Sequence, residues 1–519
     1  MEKIKNMLTK AQHLYFLGIS GIGMSALARL FFSLGKKISG STNSDNEIVF
    51  DLEKQGMKIY HSHHESNLIE TPDCLIYTEA VTMEHQEILA AVKQGIPVLS
   101  YGEALSFFIN EDFSLAISGT HGKSSTTGLV TQIMNSYYQT GFLCGAVLKK
   151  YNINGGWLQY LNEIDDNPER SEKIQDSVFV AEACEYKETF QNFFPTSILI
   201  TSLEEDHLDY YKNNKNYFNS FVSFLSHVYK NRYFNKLPFH ITLGINSPME
   251  IKLFNKIRKS RLKDICAFYT SDRTLYLKYS HKMKEIPFAY YEYKGRVEYN
   301  GLIYFKTRVY FNVKAKKIMN TLDEFDLLFP FPSKEFASNI TGALLVLRGF
   351  GLPYELIQEG MKKYLGISRR FDFLGKDSNK NKIYTDYAHH PSEIRTLISM
   401  MKEYYPDKNL ICIFQPHQYS RTLNYFNSFA QAFSRCDETI VLPIYRQRDS
   451  EEDIKKVNHV MLANAINANH VTSLAINTEN ELFQYIQSSF SDSIVVFTGA
   501  GNIIDMAEKY NRIYNSDKK

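Results

Sequence analysis

One local pattern occurs three times along the chain: an apolar run that ends in a glycine-rich or polar turn and passes directly into a segment with helical spacing. It is present in "HLYFLGISGIGMSALARLFF" from residue 13, in "FSLAISGTHGKSSTTGLV" from residue 113 and in "KNKIYTDYAHHPSEIRTLISMMKEYY" from residue 380. A buried strand feeding a helix through a tight turn is the unit from which parallel sheets with helices on their faces are built. In the first 112 residues, "KKISGS", "GMKIYHS", "DCLIYTEA" and "IPVLSY" read as further strands, with "EHQEILAAVKQG" as a helix. At 519 residues the chain is too long for one hydrophobic core.

The expected organisation is therefore three α/β domains. Residues 1–112 form a Rossmann-like domain, 113–366 a central P-loop-type ATPase sheet, and 367–519 a second Rossmann-like domain. The central domain carries an added section from about 228 to 327, where alternating Tyr/Phe-rich runs such as "RVEYNGLIYFKTRVYFNVKA" predict antiparallel strands. Net charge is only +2, with the basic residues dispersed, which speaks against a nucleic-acid partner. The six cysteines (74, 144, 184, 266, 412, 436) are scattered without metal-ligand spacing and read as free thiols of a reducing cytoplasm. The apolar run near the N-terminus is broken by glycines and Arg29, so it is neither a signal peptide nor a membrane span.

The turns carry the chemistry. Gly18-Ile-Ser-Gly21-Ile-Gly23 transposes the dinucleotide spacing G-x-G-x-x-G, and Gly40-Ser41-Thr42 lacks the acid that binds a ribose hydroxyl. A helix N-terminus behind such a turn suits a diphosphate, while a nicotinamide oxidoreductase is disfavoured. The second turn is a shortened phosphate loop, Gly119-Thr120-His121-Gly122-Lys123-Ser124, with Ile117 where the longer P-loop needs its first glycine. Glycines let backbone approach phosphates, Lys123 supplies charge, and Ser124 or Ser125 offers a hydroxyl to Mg²⁺. Hard-cation ligands are expected nearby. Glu182 and the "EEDHLDYY" segment with Glu205, Asp206, His207 and Asp209 end two apolar strands on the same predicted edge. In the last domain Asp386, Tyr387, His389, His390, His417 and Arg421 cluster at strand ends, with Arg421 suited to a substrate carboxylate. The plainer readings are a helix cap for Asp386 and surface positions for the histidines.

Taken together, "GISGIGMSALA", "SGTHGKSSTT", "EACEYKETFQNFFP", "DHLDYY", "RRFDFLG", "DYAHHPSEI", "FQPHQYSRT" and "GAGNI" resemble, in order and spacing, the Mur ligase family of cell-wall enzymes, and within it the alanine-adding branch. The resemblance covers nearly the whole chain. It implies a UDP-sugar domain, a central ATPase and a C-terminal domain that closes over an amino acid. It also implies ATP-dependent joining of L-alanine to the lactyl carboxylate of UDP-N-acetylmuramate through an acyl phosphate, in cytoplasmic peptidoglycan precursor synthesis, by a monomer or homodimer.

The same resemblance assigns roles. Gly18, Gly21, Gly23, Met24 and Ser25 would face the UDP-sugar; Gly119 to Ser125 and Asn339 would bind ATP. Glu182, His207 and Ser124 or Ser125 would hold Mg²⁺, Arg370 would approach phosphate, and Asp386 would meet the nucleotide side. Tyr387, His389, His417 and Arg421 would orient alanine. Three departures stand out. Gln418 follows "QPH" where the family often has arginine, "EFASN" retains only Asn339 of the adenine motif, and Lys215 is out of register for a carbamylated lysine. The alternatives are a ligase that recycles a tripeptide onto the same sugar nucleotide, and a non-catalytic nucleotide-binding protein on this fold.

Overall fold

The computed structural model describes residues 2–44, 46–110, 113–158, 177–234, 240–319, 324–447 and 449–515. Two compact units are present: Met1–Lys294, Lys306–Phe329 and Phe336–Leu365 in the first, and Gly295–Phe305, Pro330–Glu335 and Gly366–Lys519 in the second. Among the described residues no helix is long and apolar enough to cross a membrane.

The first unit holds one sheet and all of a second except Gly295–Phe305. β1 (His13–Leu17), β2 (Lys37–Ser41), β3 (Lys58–Tyr60), β4 (Cys74–Tyr77) and β5 (Val98–Ser100) are all parallel, in the order β3-β2-β1-β4-β5. Leu14 to Leu17 are fully buried, the continuous apolar pattern of a strand covered on both faces. The strand order reverses between β1 and β4, which opens a crevice at their C-terminal ends, and the Gly18 turn lies there.

The second sheet has ten strands. They are β6 (Ser114–Ser118), β7 (Gln139–Leu148), β8 (Ile153–Trp157), β9 (Ser177–Glu182), β10 (Ser197–Ile200), β11 (His240–Gly244), β12 (Cys266–Thr270), β13 (Phe288–Tyr299), β14 (Leu302–Phe311) and β15 (Glu324–Phe329). β6 is flanked in parallel by β9 and β10, so the phosphate loop that follows it also opens at a reversal of strand order.

The section from 228 departs from the antiparallel expectation in its first part. β11, β12 and the start of β13 continue the parallel sheet, because the helices Pro248–Ile257 and Arg273–Ser280 provide the long crossovers that parallel strands require. Burial along β13 changes accordingly, from four consecutive buried residues to alternation. Only then does the chain fold back, through Asn300-Gly301, both at positive φ, into β14.

The β7–β8 hairpin at the other edge binds the first sheet's helix Ile22–Ser33 to the second sheet. A Cβ at Gly155 would stand 2.7 Å from Ala26 Cβ, so only glycine permits this approach. Buried Arg29 donates to Asn154 Oδ1, while Asn154 Nδ2 donates to Ile22 O and, at 3.1 Å, to Ser25 Oγ. The second guanidinium nitrogen of Arg29 meets Asp51 at 2.7 Å.

The second unit contains β16 (Asp372–Lys376), β17 (Lys382–Asp386), β18 (Leu410–Phe414), β19 (Glu438–Val441), β20 (Thr472–Ala475) and β21 (Ile494–Thr498), in the order β16-β17-β21-β18-β19-β20. All pairs are parallel except β16 with β17. Since β21 lies between β17 and β18, the loops that begin after Asp386, Phe414 and Thr498 are neighbours.

The glycine contact predicts its own failure mode. Gly155→Val should destabilise the protein by about 1–3 kcal/mol through overpacking against the Ile22–Ser33 helix. Chemical denaturation followed by tryptophan emission measures this, since the single Trp157 ends the same strand.

Candidate active site

Three turns at sheet edges collect nearly all the residues singled out by sequence. At the first, Gly18 has φ +81° and lies so close to Thr78 that a Cβ would stand 2.7 Å from its methyl group. Gly21 caps the helix Ile22–Ser33 without any side-chain acceptor, which leaves first-turn N–H groups to a ligand. Met24 and Ser25, expected to face the sugar nucleotide, have enclosed side chains instead. The Ser25 hydroxyl is used up between Ile22 O and Asn154, and its N–H donates to Gly21 O. Ser25 therefore builds the turn from behind, and the glycine backbone is what remains for a ligand.

At the phosphate loop, Gly119 (φ +131°) leaves no room for a Cβ, which would lie 2.7 Å from Ser202 O. Gly122 (φ +80°) caps the helix Lys123–Met134 without a side-chain bond, and its Cβ would lie 2.5 Å from Asn339 Nδ2. Asn339 thus reaches the loop. Thr120 and His121 are tied beneath it: Thr120 Oγ1 bonds Glu204 and Tyr217, and His121 N–H donates to Ser202 Oγ at 2.8 Å. Among the described residues, the hydroxyls of Ser124 and Ser125 have no partner.

Lys123 donates to Gly119 O (2.6 Å), Thr120 O (3.0 Å) and Glu185 Oε1 (3.2 Å). Burial alone would lower the pKa of this ammonium group, but Glu185, Glu182 and Asp206 together hold it above its ordinary value. Glu185 is fully buried, and its carboxylate lies 3.6 Å from His207 Nε2. Ligand atoms of Glu185, Asp206 and His207 all fall within 4.8 Å of one another, a spacing that suits one cation.

Sequence reasoning missed Glu185. Glu182 ends β9 as expected, but its Oε2 accepts from Gly145 N at 2.8 Å and it stands outside that three-residue cluster. Beyond the strand the chain turns so that the next acid, Glu185, meets Lys123. The signal was the second acid in "EACEY". Left-handed Lys187 (φ 51°) and Glu188 (φ 59°) follow directly, as does His207 (φ 52°) on the neighbouring loop, a concentration of strained backbone found at functional sites.

In the second unit Asp386 acts first as a brace. Its two oxygens accept from Phe371 N (2.7 Å) and Ala388 N (2.8 Å), and burial pushes its pKa up against the pull of Arg370. The helix Pro391–Tyr404 is capped by His390, not by Asp386. Arg370 lies over the Tyr387 ring at 5.7 Å and 3.5 Å from Glu393, a residue not anticipated although its place three positions after His390 is that of a capping box. His389 contacts Tyr387 O and Glu393, and burial lowers its pKa. His417 stacks on Tyr445, with ring centroids 5.6 Å apart. Burial first, then Arg421 and His389, lower its pKa to about 4. Arg421 Nη1 lies 3.4 Å from His417 Nδ1, and among the described residues no carboxylate pairs with it. Its guanidinium is available.

Residues 13–112 match the profile described as Mur ligase family, catalytic domain; 117–347 match the Mur ligase middle domain, and 369–501 the Mur ligase, glutamate ligase domain. The UDP-N-acetylmuramate–L-alanine ligase of Acetivibrio thermocellus is 30% identical over 504 residues, 96% of each chain. The chain belongs to the Mur ligase family. As such it is an ATP-dependent, amide-forming ligase. The UDP-N-acetylmuramate–L-alanine ligase of Clostridium acetobutylicum is 29% identical over 98% of both chains. In fold, the chain matches the crystal structure of the UDP-N-acetylmuramate–alanine ligase of Thermotoga maritima with TM-score 0.72 at 22% identity, over 98% of this chain and 100% of that one. A murein peptide ligase from Psychrobacter arcticus gives 0.62 at 18% identity, over 96% and 98%.

The Arg421–His417 contact makes a titration prediction. Since its folded pKa lies below the value of about 6.5 for an unfolded histidine, His417 subtracts stability as pH falls from about 6.5 to about 4. In Arg421→Met the His417 ring should titrate above 4, as followed by its imidazole NMR signals.

Proposed function

We infer that this chain joins L-alanine to UDP-N-acetylmuramate with cleavage of ATP to ADP and phosphate. The observation that carries the reading is near end-to-end similarity to two UDP-N-acetylmuramate–L-alanine ligases, in a chain whose phosphate loop presents a caged lysine beside a cation-sized cluster. The domain assignment 1–112, 113–366 and 367–519 goes with it, the first boundary falling at residues 111–112, outside the described residues. The substrates are small soluble molecules, which supports a cytoplasmic enzyme, as monomer or homodimer.

A carboxylate resists attack by an amine because its leaving group would be oxide. Phosphorylation of the lactyl carboxylate by ATP gives an acyl phosphate, and alanine's amine then displaces phosphate to form the amide. Lys123, fixed by two carbonyls and Glu185, presents positive charge without reorganisation at the moment of transfer. Backbone N–H groups behind Gly122 and Gly21 meet the two phosphate-bearing substrates. The donor set fits Mg²⁺: Glu185, Asp206 and His207, with the hydroxyls of Ser124 and Ser125 that have no partner among the described residues, would hold it, while Glu182 stands at the adjacent strand end. When bound, it would offset charge on the transferring phosphoryl group.

In the second unit, Arg421 would pair alanine's carboxylate, while neutral His389 and His417 add no like charge beside the incoming ammonium group. Tyr387, whose ring packs on His389, would help to orient alanine, and Arg370, over the Tyr387 ring, would approach phosphate.

Phosphate release from Mg-ATP with UDP-N-acetylmuramate tests the reading in three arms: no acceptor, L-alanine, and the L-Ala-γ-D-Glu-diaminopimelate tripeptide. Release that requires L-alanine, with one amide per phosphate, is expected. Release with the tripeptide alone would make it a peptide-recycling ligase, and none with either would leave a nucleotide-binding protein. Lys123→Ala should lower turnover by roughly 10²-fold or more while UDP-sugar binding persists. Arg421→Ala should raise KM for L-alanine roughly 10- to 100-fold and leave KM for ATP nearly unchanged.

A further inference from the structure

Tyr101 opens the helix Tyr101–Ile109, whose start is fixed by a reciprocal Ser100–Glu103 capping box. Its ring lies against Gly23, the last glycine of the first turn: a Cβ there would stand 3.0 Å from the phenol oxygen and 3.1 Å from Cζ. The phenol also feels the charge of Cys184, in the loop after β9, of Glu182 at the end of β9, and of Cys144 in β7. One side chain from the first sheet thus touches the glycine turn and sits within the field of the strand ends that flank the phosphate loop, all inside the first unit.

The group has no assigned task. Tyr101 is part-buried, and among the described residues no group accepts from its hydroxyl, which leaves that donor to solvent or a ligand. Burial, reinforced by Cys184 and Glu182, pushes its pKa well above the ordinary phenol value, so it remains a neutral donor across the working range of pH. An anionic oxygen is the complementary partner.

We propose that Tyr101 is a substrate-binding residue whose hydroxyl donates to the carboxylate-bearing arm of the sugar nucleotide. This rests on the ligase reading above. The uncapped helix behind Gly21 already supplies donors for the diphosphate. The lactyl carboxylate must instead leave that turn and reach the phosphate loop, and Tyr101, packed against Gly23, offers a donor that has no partner among the described residues.

Tyr101→Phe removes only the hydroxyl and keeps the ring against Gly23, so folding should be unaffected, as an unchanged melting temperature verifies. Calorimetry on the full-length protein then compares UDP-N-acetylmuramate with UDP-N-acetylglucosamine, which has the same nucleotide and sugar core but no lactyl acid. The expected result is roughly ten-fold weaker binding of the muramate by the variant, unchanged binding of the glucosamine, and an unchanged KM for ATP. Equal losses for both ligands would move the contact to the diphosphate or sugar and overturn the proposal, as would no loss for either. If the unmodified protein neither binds the muramate nor releases phosphate with alanine, the ligase reading itself fails and the proposal falls with it.

Discussion

A lysine ammonium with only 12% of its side chain exposed, held against a fully buried glutamate, is the interaction on which the glycine loop of the candidate site depends. Neither charge is tolerable alone in that position. Removing one partner of such a buried pair costs about 3–5 kcal/mol, because the other is left uncompensated. Lys123 brings the shortened loop with it through Gly119 O and Thr120 O, and Glu185 brings His207 and Asp206. The loop's small size follows from this arrangement. Gly119 and Gly122 remove the side chains that would collide with Ser202 and Asn339, so the loop closes tightly enough for the lysine to reach both its carbonyls and the acid.

A second constraint relates the two sheets of the first unit. The helix Ile22–Ser33 carries the glycine turn at one end and is bound along its length to the β7–β8 hairpin by Arg29, Asn154 and the Gly155–Ala26 contact. Asn110 adds another tie: its side-chain oxygen accepts from Phe194 N and its nitrogen donates to Asn192 O. A reaction that transfers a phosphoryl group from one ligand to another needs their sites held at fixed separation. Buried polar bonds provide that more specifically than apolar packing, since each is costly to leave unmade.

Much of the fold was legible because strand-turn-helix units are local. Apolar runs such as "HLYFL" and "SLAIS", followed by glycine turns, mark parallel strands and their functional ends with no knowledge of the neighbours. The β7–β8 hairpin was not read, since Gly-rich "INGGW" lacks strand propensity and is shaped by the helix packed on it. Likewise β11 (HITLG) and β12 (CAFYT) carry no mark of direction in their own residues; their parallel direction depends on where the intervening helices cross. In the candidate site, the motif turns were legible. Glu185, Tyr445 and Tyr101 were not, because each meets a partner far away in sequence: Lys123, His417 and Gly23.

The sequence by itself determined the kinds of turn, the glycines of the short loop with Lys123, and the family to which these motifs belong, because each is a matter of nearby residues in a fixed spacing. Tertiary structure alone decided which acid meets the lysine, that Asp386 braces the backbone of Phe371, that Ser25 faces inward, and that no carboxylate among the described residues pairs with Arg421. Those outcomes depend on burial and on partners brought together from distant strands, and neither is a property of a residue's neighbours along the chain.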